Sequence, residues 1–301
     1  MHIKFFVFTI LLCSLQALHA SHHIFNSFSG SVGQVNQGVQ VNNGRRSGTA
    51  VNYGGGMAIG YVENLPPHSG TSTYVYSQQP QFKETIVKEF ELGEEPSIAL
   101  MNNVGNITIS AWDKAKTLIQ IIKKAALDER LAAMRVEIVE HNNSLDIRSK
   151  HEAKSNESID YTITTPFASK IEVETNIGNI SVASILGLIT LLQANNGNVE
   201  VQNAACLKKV STKVGNITVQ FDTQIDSCSL TTDVGDVTVQ LHENCDATIF
   251  AATNIGQINN RSNIRINQKI QGMVGASLVG KIGNGNGNLE AKTNVGDIRL
   301  S

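Results

Sequence analysis

One short unit recurs along the chain and limits what it can fold into: an apolar residue, Gly, Asn or Asp, another apolar residue, a spacer, then Val or Ile. The copies are Val104-Gly105-Asn106-Ile107, Ile177-Gly178-Asn179-Ile180, Asn196-Gly197-Asn198-Val199, Val214-Gly215-Asn216-Ile217, Val234-Gly235-Asp236-Val237, Ile255-Gly256-Gln257-Ile258 and Val295-Gly296-Asp297-Ile298. From Gly178 to Gly256 the glycines are 19, 18, 20 and 21 residues apart. Alternating stretches such as NITVQF (216–221) and CSLTTDV (228–234) flank them, so each strand has one dry face and one wet face. A unit of this length cannot enclose a core alone, but stacked units share a continuous one.

The expected fold is therefore all-β: a single-chain, parallel β-helix-like solenoid with rungs of about 20 residues. The glycines are its corners, where a positive φ suits a residue without Cβ. The adjoining Asn or Asp can cap the turn, and stacked corners would align the Asn106-type residues in a ladder. Gly105, Gly178, Gly197, Gly215, Gly235, Gly256 and Gly296 thus read as architectural turns. Gly105 and Gly178 are too far apart for one rung. The interval holds strand-like runs at 117–124, 134–141, 144–149 and 159–166, with a helical turn around Asp128–Ala133. It is expected to form a β-rich N-terminal cap. Domain bounds follow: 84–170 for cap and first rung, 171–301 for regular rungs, with residues 280–301 as closing rungs and SNIRINQ (262–268) as one more strand.

The lead is different. Lys4, the apolar run Phe5–Leu12 and Ala20 have the layout of a secretory signal peptide, residues 1–20. That run is too short for a stable membrane span, and no later segment has the ~18 apolar residues that one needs. Residues 21–83 are rich in Gly, Asn, Ser and Gln; up to residue 82 their only charges are Arg45, Arg46 and Glu63, which reads as a disordered segment. The protein is expected to be exported to the periplasm, outer surface or medium. A net charge of −2 implies neither nucleic acid nor an anionic membrane surface as partner.

The succession NNVGNITISAW (102–112), IDYTITTPFASKIEVETNIGNISVASILG (159–187), ANNGNVEVQN, TKVGNITVQF and TTDVGDVTVQL resembles the bacterial putative-adhesin domain, a β-strand-repeat domain of unknown function also called toastrack. The likeness spans about residues 85–301. It implies a β-solenoid associated with cell-envelope adhesion or envelope stress, and it brings no catalytic residues.

No hydrolase triad, HExxH or phosphate-loop pattern is present. GNGNGN (283–288) lacks the Lys-Ser/Thr of a phosphate loop and the acids of a calcium repeat. Asp233, Asp236 and Asp297 are too few for a calcium cage, which takes about six to eight oxygens. His141, His151 and His242 read as surface residues. Cleavage after Ala20 would leave Ser21-His22-His23, whose amine, amides and second imidazole suit Cu(II) or Ni(II), although two histidines after a cleavage site need no metal. Cys206, Cys228 and Cys245 read as core thiols in preference to one disulfide plus a spare. No cofactor is expected. The reading is a non-enzymatic surface scaffold with an unidentified protein or glycan partner. Self-association through open strand edges is the alternative, and a polysaccharide-active enzyme is the reading the residues favour least.

Overall fold

The computed structural model describes residues 82–150, 156–222 and 224–301, together with a separate strand pair. That pair, β1 (Val39–Asn42) and β2 (Ser47–Ala50), is antiparallel and belongs to a unit spanning residues 1–76. Both strands fall within the segment 21–83. VQVN alternates β-branched and polar residues, and Asn43-Gly44 is a turn-prone dipeptide. The leader, Ser21-His22-His23 and His151 lie outside the described residues.

The second unit, residues 77–301, is built from two long sheets. Along the chain come β3 (Phe82–Phe90), β4 (Ser97–Val104), β5 (Ile107–Trp112), β6 (Thr117–Ala125), the helix α1 (Asp128–Ala133), β7 (Arg135–His141), β8 (Ser144–Lys150) and β9 (Ser158–Pro166). Then follow β10 (Lys170–Ile177), β11 (Ile180–Ala183), β12 (Leu188–Asn196), β13 (Val199–Gln202), β14 (Cys206–Leu207), β15 (Lys209–Val214), β16 (Ile217–Phe221), β17 (Ser227–Val234) and β18 (Val237–Leu241). The chain finishes with β19 (Ala247–Ile255), β20 (Ile258–Asn260), β21 (Arg265–Gln271), β22 (Ala276–Ile282), β23 (Gly287–Val295) and β24 (Ile298–Leu300). Each rung lays one strand in the larger sheet, turns at its glycine, and lays the next in the smaller sheet.

Stacking follows the repeat but not the chain. The larger sheet runs β21-β22-β19-β23-β17-β15-β12-β10-β4-β8-β7, and the smaller β20-β24-β18-β16-β13-β11-β5-β9-β6-β3. The last rung, β23–β24, is parallel to β17–β18 on one side and to β19–β20 on the other. Residues 287–301 are thus an interior rung and not the closing one. The strand expected at 262–268 is no rung either: β21 pairs antiparallel with β22 and overhangs the stack. At the opposite end β8 and β9 lie alongside β4 and β5, while β7, β6 and β3 close the end with antiparallel pairings. The repeat sets the geometry of a rung, and nothing in it names the neighbour.

Strict alternation fills the core. The residue two after each corner glycine points inward: Ile107, Ile180, Val199, Ile217, Val237, Ile298 and Ile258 are all at most 2% exposed. The larger sheet contributes Leu100, Val173, Leu192, Val210, Leu230, Ala291, Ala251 and Leu278, all at most 1% exposed. Each buried aliphatic side chain contributes about 1.5–3 kcal/mol. Small Ala251 and Ala291 lie on adjacent strands at the same register.

Candidate functional site

The corner glycines are the most repeated residues of the rungs. The φ angles of the seven corner glycines run from +134° at Gly105 to +157° at Gly197. At Gly215 an added Cβ would meet the carbonyl oxygen of Gly197 far inside contact distance. The same approach repeats from corner to corner, so these glycines hold the rungs together at close range.

Beside them runs a one-directional ladder. Asn106 Oδ1 accepts the N–H of Asn179 at 2.9 Å, and Asn179 Oδ1 accepts that of Asn198 at 2.8 Å. Asn198, Asn216, Asp236 and Asp297 continue it to Asn216, Asp236, Asp297 and Gln257. Asp160 starts it, accepting from Asn106 at 2.8 Å. Where a carboxylate replaces an amide, a cation sits on the spare oxygen: Lys124 on Asp160, and Arg299 on both Asp236 and Asp297. Desolvation pushes Asp236 up, but the Asp297 amide and the Arg299 guanidinium outweigh it, and its pKa lies below the ordinary carboxylate value.

Inside the corner runs a second, buried ladder. The hydroxyls of Thr212, Thr232, Thr293 and Thr253 donate to the carbonyls of Gly197, Gly215, Gly235 and Gly296, at 2.8–3.0 Å. Thr175 breaks the series. The equivalent carbonyl, Gly105, already accepts from Asn102 Nδ2, and the Thr175 hydroxyl has no partner.

A third ladder lies outside, two residues before the glycines. Asn176 Nδ2 donates to Asn103 Oδ1 at 2.9 Å, and Asn195 Nδ2 to Asn176 Oδ1 at 2.7 Å. Next to it, Met101, Glu174 and Gln193 are aligned across β4, β10 and β12. Together these residues line a groove of about 330 Å³. Met101 is 46% exposed, and the Glu174 carboxylate has no ion-pair partner among the described residues. The groove therefore offers amide donors and acceptors, one open carboxylate and one thioether at regular spacing. The signal was available, because Asn recurs two residues before the glycine at 103, 176, 195, 254 and 294.

A model of the Toastrack DUF4097 family matches residues 84–301. The chain belongs to this family. No curated protein sequence matches it. Among solved structures, the toastrack chain is similar to a "putative cell adhesion protein" of Clostridium sporogenes ATCC 15579, at 15% identity and a TM-score of 0.39, over 74% of this chain and 99% of that one. It is similar to a "putative adhesin" of Bacteroides fragilis NCTC 9343, at 17% identity and a TM-score of 0.30, over 75% and 100%. A "putative lipid binding protein" of Parabacteroides distasonis ATCC 8503 overlaps it at 13% identity and a TM-score of 0.31, over 74% and 99%.

The remaining chemistry-bearing residues of the toastrack domain are dispersed. Among the described residues no three His, Cys, Asp or Glu side chains gather as metal ligands. His141 lies in a shallow depression with Asp146 and Arg148, whose charges are paired at 2.7 Å. His242 Nδ1 accepts the Asn244 N–H within its own turn, at 3.4 Å. Asp233 accepts from Asn294 in the outer ladder. In the Gly283–Asn288 loop the Gly285 and Asn286 amides converge on the Asp246 carboxylate, so its glycines serve a turn. Cys206, Cys228 and Cys245 are free thiols. No described helix is long and apolar enough to cross a membrane.

Proposed function

We propose that this toastrack domain is the binding module of an exported, non-enzymatic cell-envelope or surface protein, and that the groove over β4, β10 and β12 takes a hydroxyl-rich glycan. One observation carries the reading: two parallel ladders, Asn103–Asn176–Asn195 and Met101–Glu174–Gln193, present amides and an unpaired carboxylate one rung apart. Rungs repeat every ~4.8 Å, so an extended chain of similar units meets the same groups at each step. Amide and carboxylate groups bond hydroxyls well in both directions, and Met101 offers an apolar surface for the C–H face of a sugar ring.

The charged ends favour this reading over end-to-end self-association. β7 carries Arg135, Glu137 and Glu140, while β21 carries Arg265, Lys269 and a register shift after Ile266. Charges and bulges of this kind guard sheet edges against pairing.

The test is a glycan array probed with the chain from Ser21 onward, beside Glu174→Gln and Asn176→Ala. Binding that both substitutions weaken about tenfold or more is the expected result. A null array, or binding indifferent to both, would remove the groove as the site. Cell fractionation tests export independently, and a cytoplasmic protein would end the envelope reading.

A further inference from the structure

The end of the solenoid formed by β19, β20, β21 and β22 differs in charge from the rest. Between Asp246 and Glu290 there is no Asp or Glu, while Arg261, Arg265, Lys269 and Lys281 all fall there. The flanking acids are already engaged: Glu290 by Lys292, Asp297 by Arg299, and Asp246 by the amides of Gly285 and Asn286. The whole-chain charge of −2 conceals this, because the acids lie in the other rungs.

The same end is also apolar at its tip. The larger sheet runs two strands beyond β19, whereas the smaller stops at β20. β21 thus has no opposing layer, and all seven of its residues are exposed. Ile270 is 54% exposed, and in the turn to β22 Val274 reaches 60% and Met273 is fully exposed at 105%. This turn is held in place, since Gly272 N–H donates to Gly275 O at 2.7 Å and Gly256 N–H donates to Val274 O at 2.9 Å. Val274 therefore sits next to the last corner, where Ile255 is 48% exposed. Val87, Leu127 and Leu186 are each 58% exposed as well, but among the described residues only here do three such side chains, Ile270, Met273 and Val274, fall within five residues, and a clustered apolar patch of this kind marks a contact surface.

We propose that the β21–β22 hairpin is a membrane-surface contact, in which Met273, Val274 and Ile270 enter the headgroup region of an anionic phospholipid bilayer while Lys269, Arg265 and Arg261 meet its phosphates. Apolar tip and cationic flank are the two components of interfacial binding. Neither suffices alone: the apolar area is small, and the cations attract only within a Debye length of the surface. The contact stands at the end of the stack, needs no ligand in the groove, and would set the lateral face upright on the bilayer.

Sedimentation of the chain from Ser21 onward with phosphatidylcholine vesicles, with and without phosphatidylglycerol, decides it. The expected result is binding to the phosphatidylglycerol vesicles that high salt reverses. Lys269→Gln should weaken it about fivefold, the effect of one cation near such a surface. Met273→Ser/Val274→Ser should weaken it at least as much while leaving the circular dichroism unchanged, since both side chains are outside the core. No binding at low salt, equal binding to pure phosphatidylcholine, or undiminished binding by the folded Met273→Ser/Val274→Ser variant each overturns the proposal. Light scattering that shows a dimer lost in that variant would assign the hairpin to a second copy instead, and would equally overturn it. Glu174→Gln should leave vesicle binding intact, which separates this proposal from the groove reading.

Discussion

The side-chain oxygen of Asn216 accepts the backbone N–H of Asp236 at 2.8 Å, twenty residues on in sequence and one rung away in space. Asn216 is solvent-exposed, so losing this bond should cost only about 1 kcal/mol. Its neighbour Gly215 is another matter. A Cβ there meets the Gly197 carbonyl, and the backbone φ of +153° is strained for any other residue. Gly215→Ala should therefore destabilise by about 3 kcal/mol or more, and Asn216→Ala by about a third of that. Urea unfolding of both variants checks the ranking. Equal effects would mean that the ladder, and not the close approach of the glycines, holds the corner.

The threonine ladder supplies a test whose sign reverses along the stack. Thr232 is 4% exposed and its hydroxyl donates to Gly215 O at 2.9 Å, so Thr232→Val strands a buried carbonyl and should cost about 1–2 kcal/mol. Thr175 is 3% exposed with no partner for its hydroxyl. Thr175→Val removes an unpaired buried polar group at constant shape and should stabilise by about 1 kcal/mol. Opposite shifts in urea midpoint are expected; a loss in both would show that Thr175 has a partner in solution.

How much of this was legible follows from what a repeat encodes. Gly215 and Asn216 could be read as a corner because local conformation and spacing are local facts. The strands of the N-terminal end and the helical turn at Asp128–Ala133 were readable for the same reason. Rung order was not. Val295-Gly296-Asp297 and Ile255-Gly256-Gln257 are interchangeable as corner chemistry, and only the packing of the β21–β22 hairpin decides which is interior. The groove was half legible, since Asn103, Asn176 and Asn195 share a position in the repeat, but their alignment with Glu174 and Gln193 needs the register between strands. The cationic end was hidden by averaging charge over the chain.

Acid should loosen the stack in a defined window. Asp236 and Glu290 lie below their ordinary values of 3.8 and 4.5: desolvation pushes Asp236 up less than its hydrogen bonds and Arg299 pull it down, and Lys292 lowers Glu290. Asp246 is lowered chiefly by the Asn286 backbone amide. A carboxylate depressed by folding stabilises the native state above its unfolded pKa, and that stability is lost as pH falls through the folded value. The urea midpoint should thus hold steady from neutral pH to about pH 5 and fall below about pH 4. Arg299→Gln should flatten that fall, because Asp236 then titrates closer to its unfolded value. An unchanged slope would assign the acid sensitivity to other carboxylates.

The thiols should separate by access. Burial pushes Cys228 up to about 12, and burial is also the main cause that raises Cys245; both are at most 2% exposed. Cys206 is half-buried on β14, its Sγ 3.9 Å from the Asp226 carboxylate. The thiolate is the reactive form, so at pH 8 a disulfide reagent such as DTNB should consume one thiol of the chain from Ser21 onward. That reaction should vanish in Cys206→Ser. The other two thiols should react only at the rate of unfolding, because exposing them means parting the β17 rung and the turn before β19 from the core. Two fast thiols in the native protein would show that this part of the stack opens locally, and none would show that Cys206 is shielded in solution.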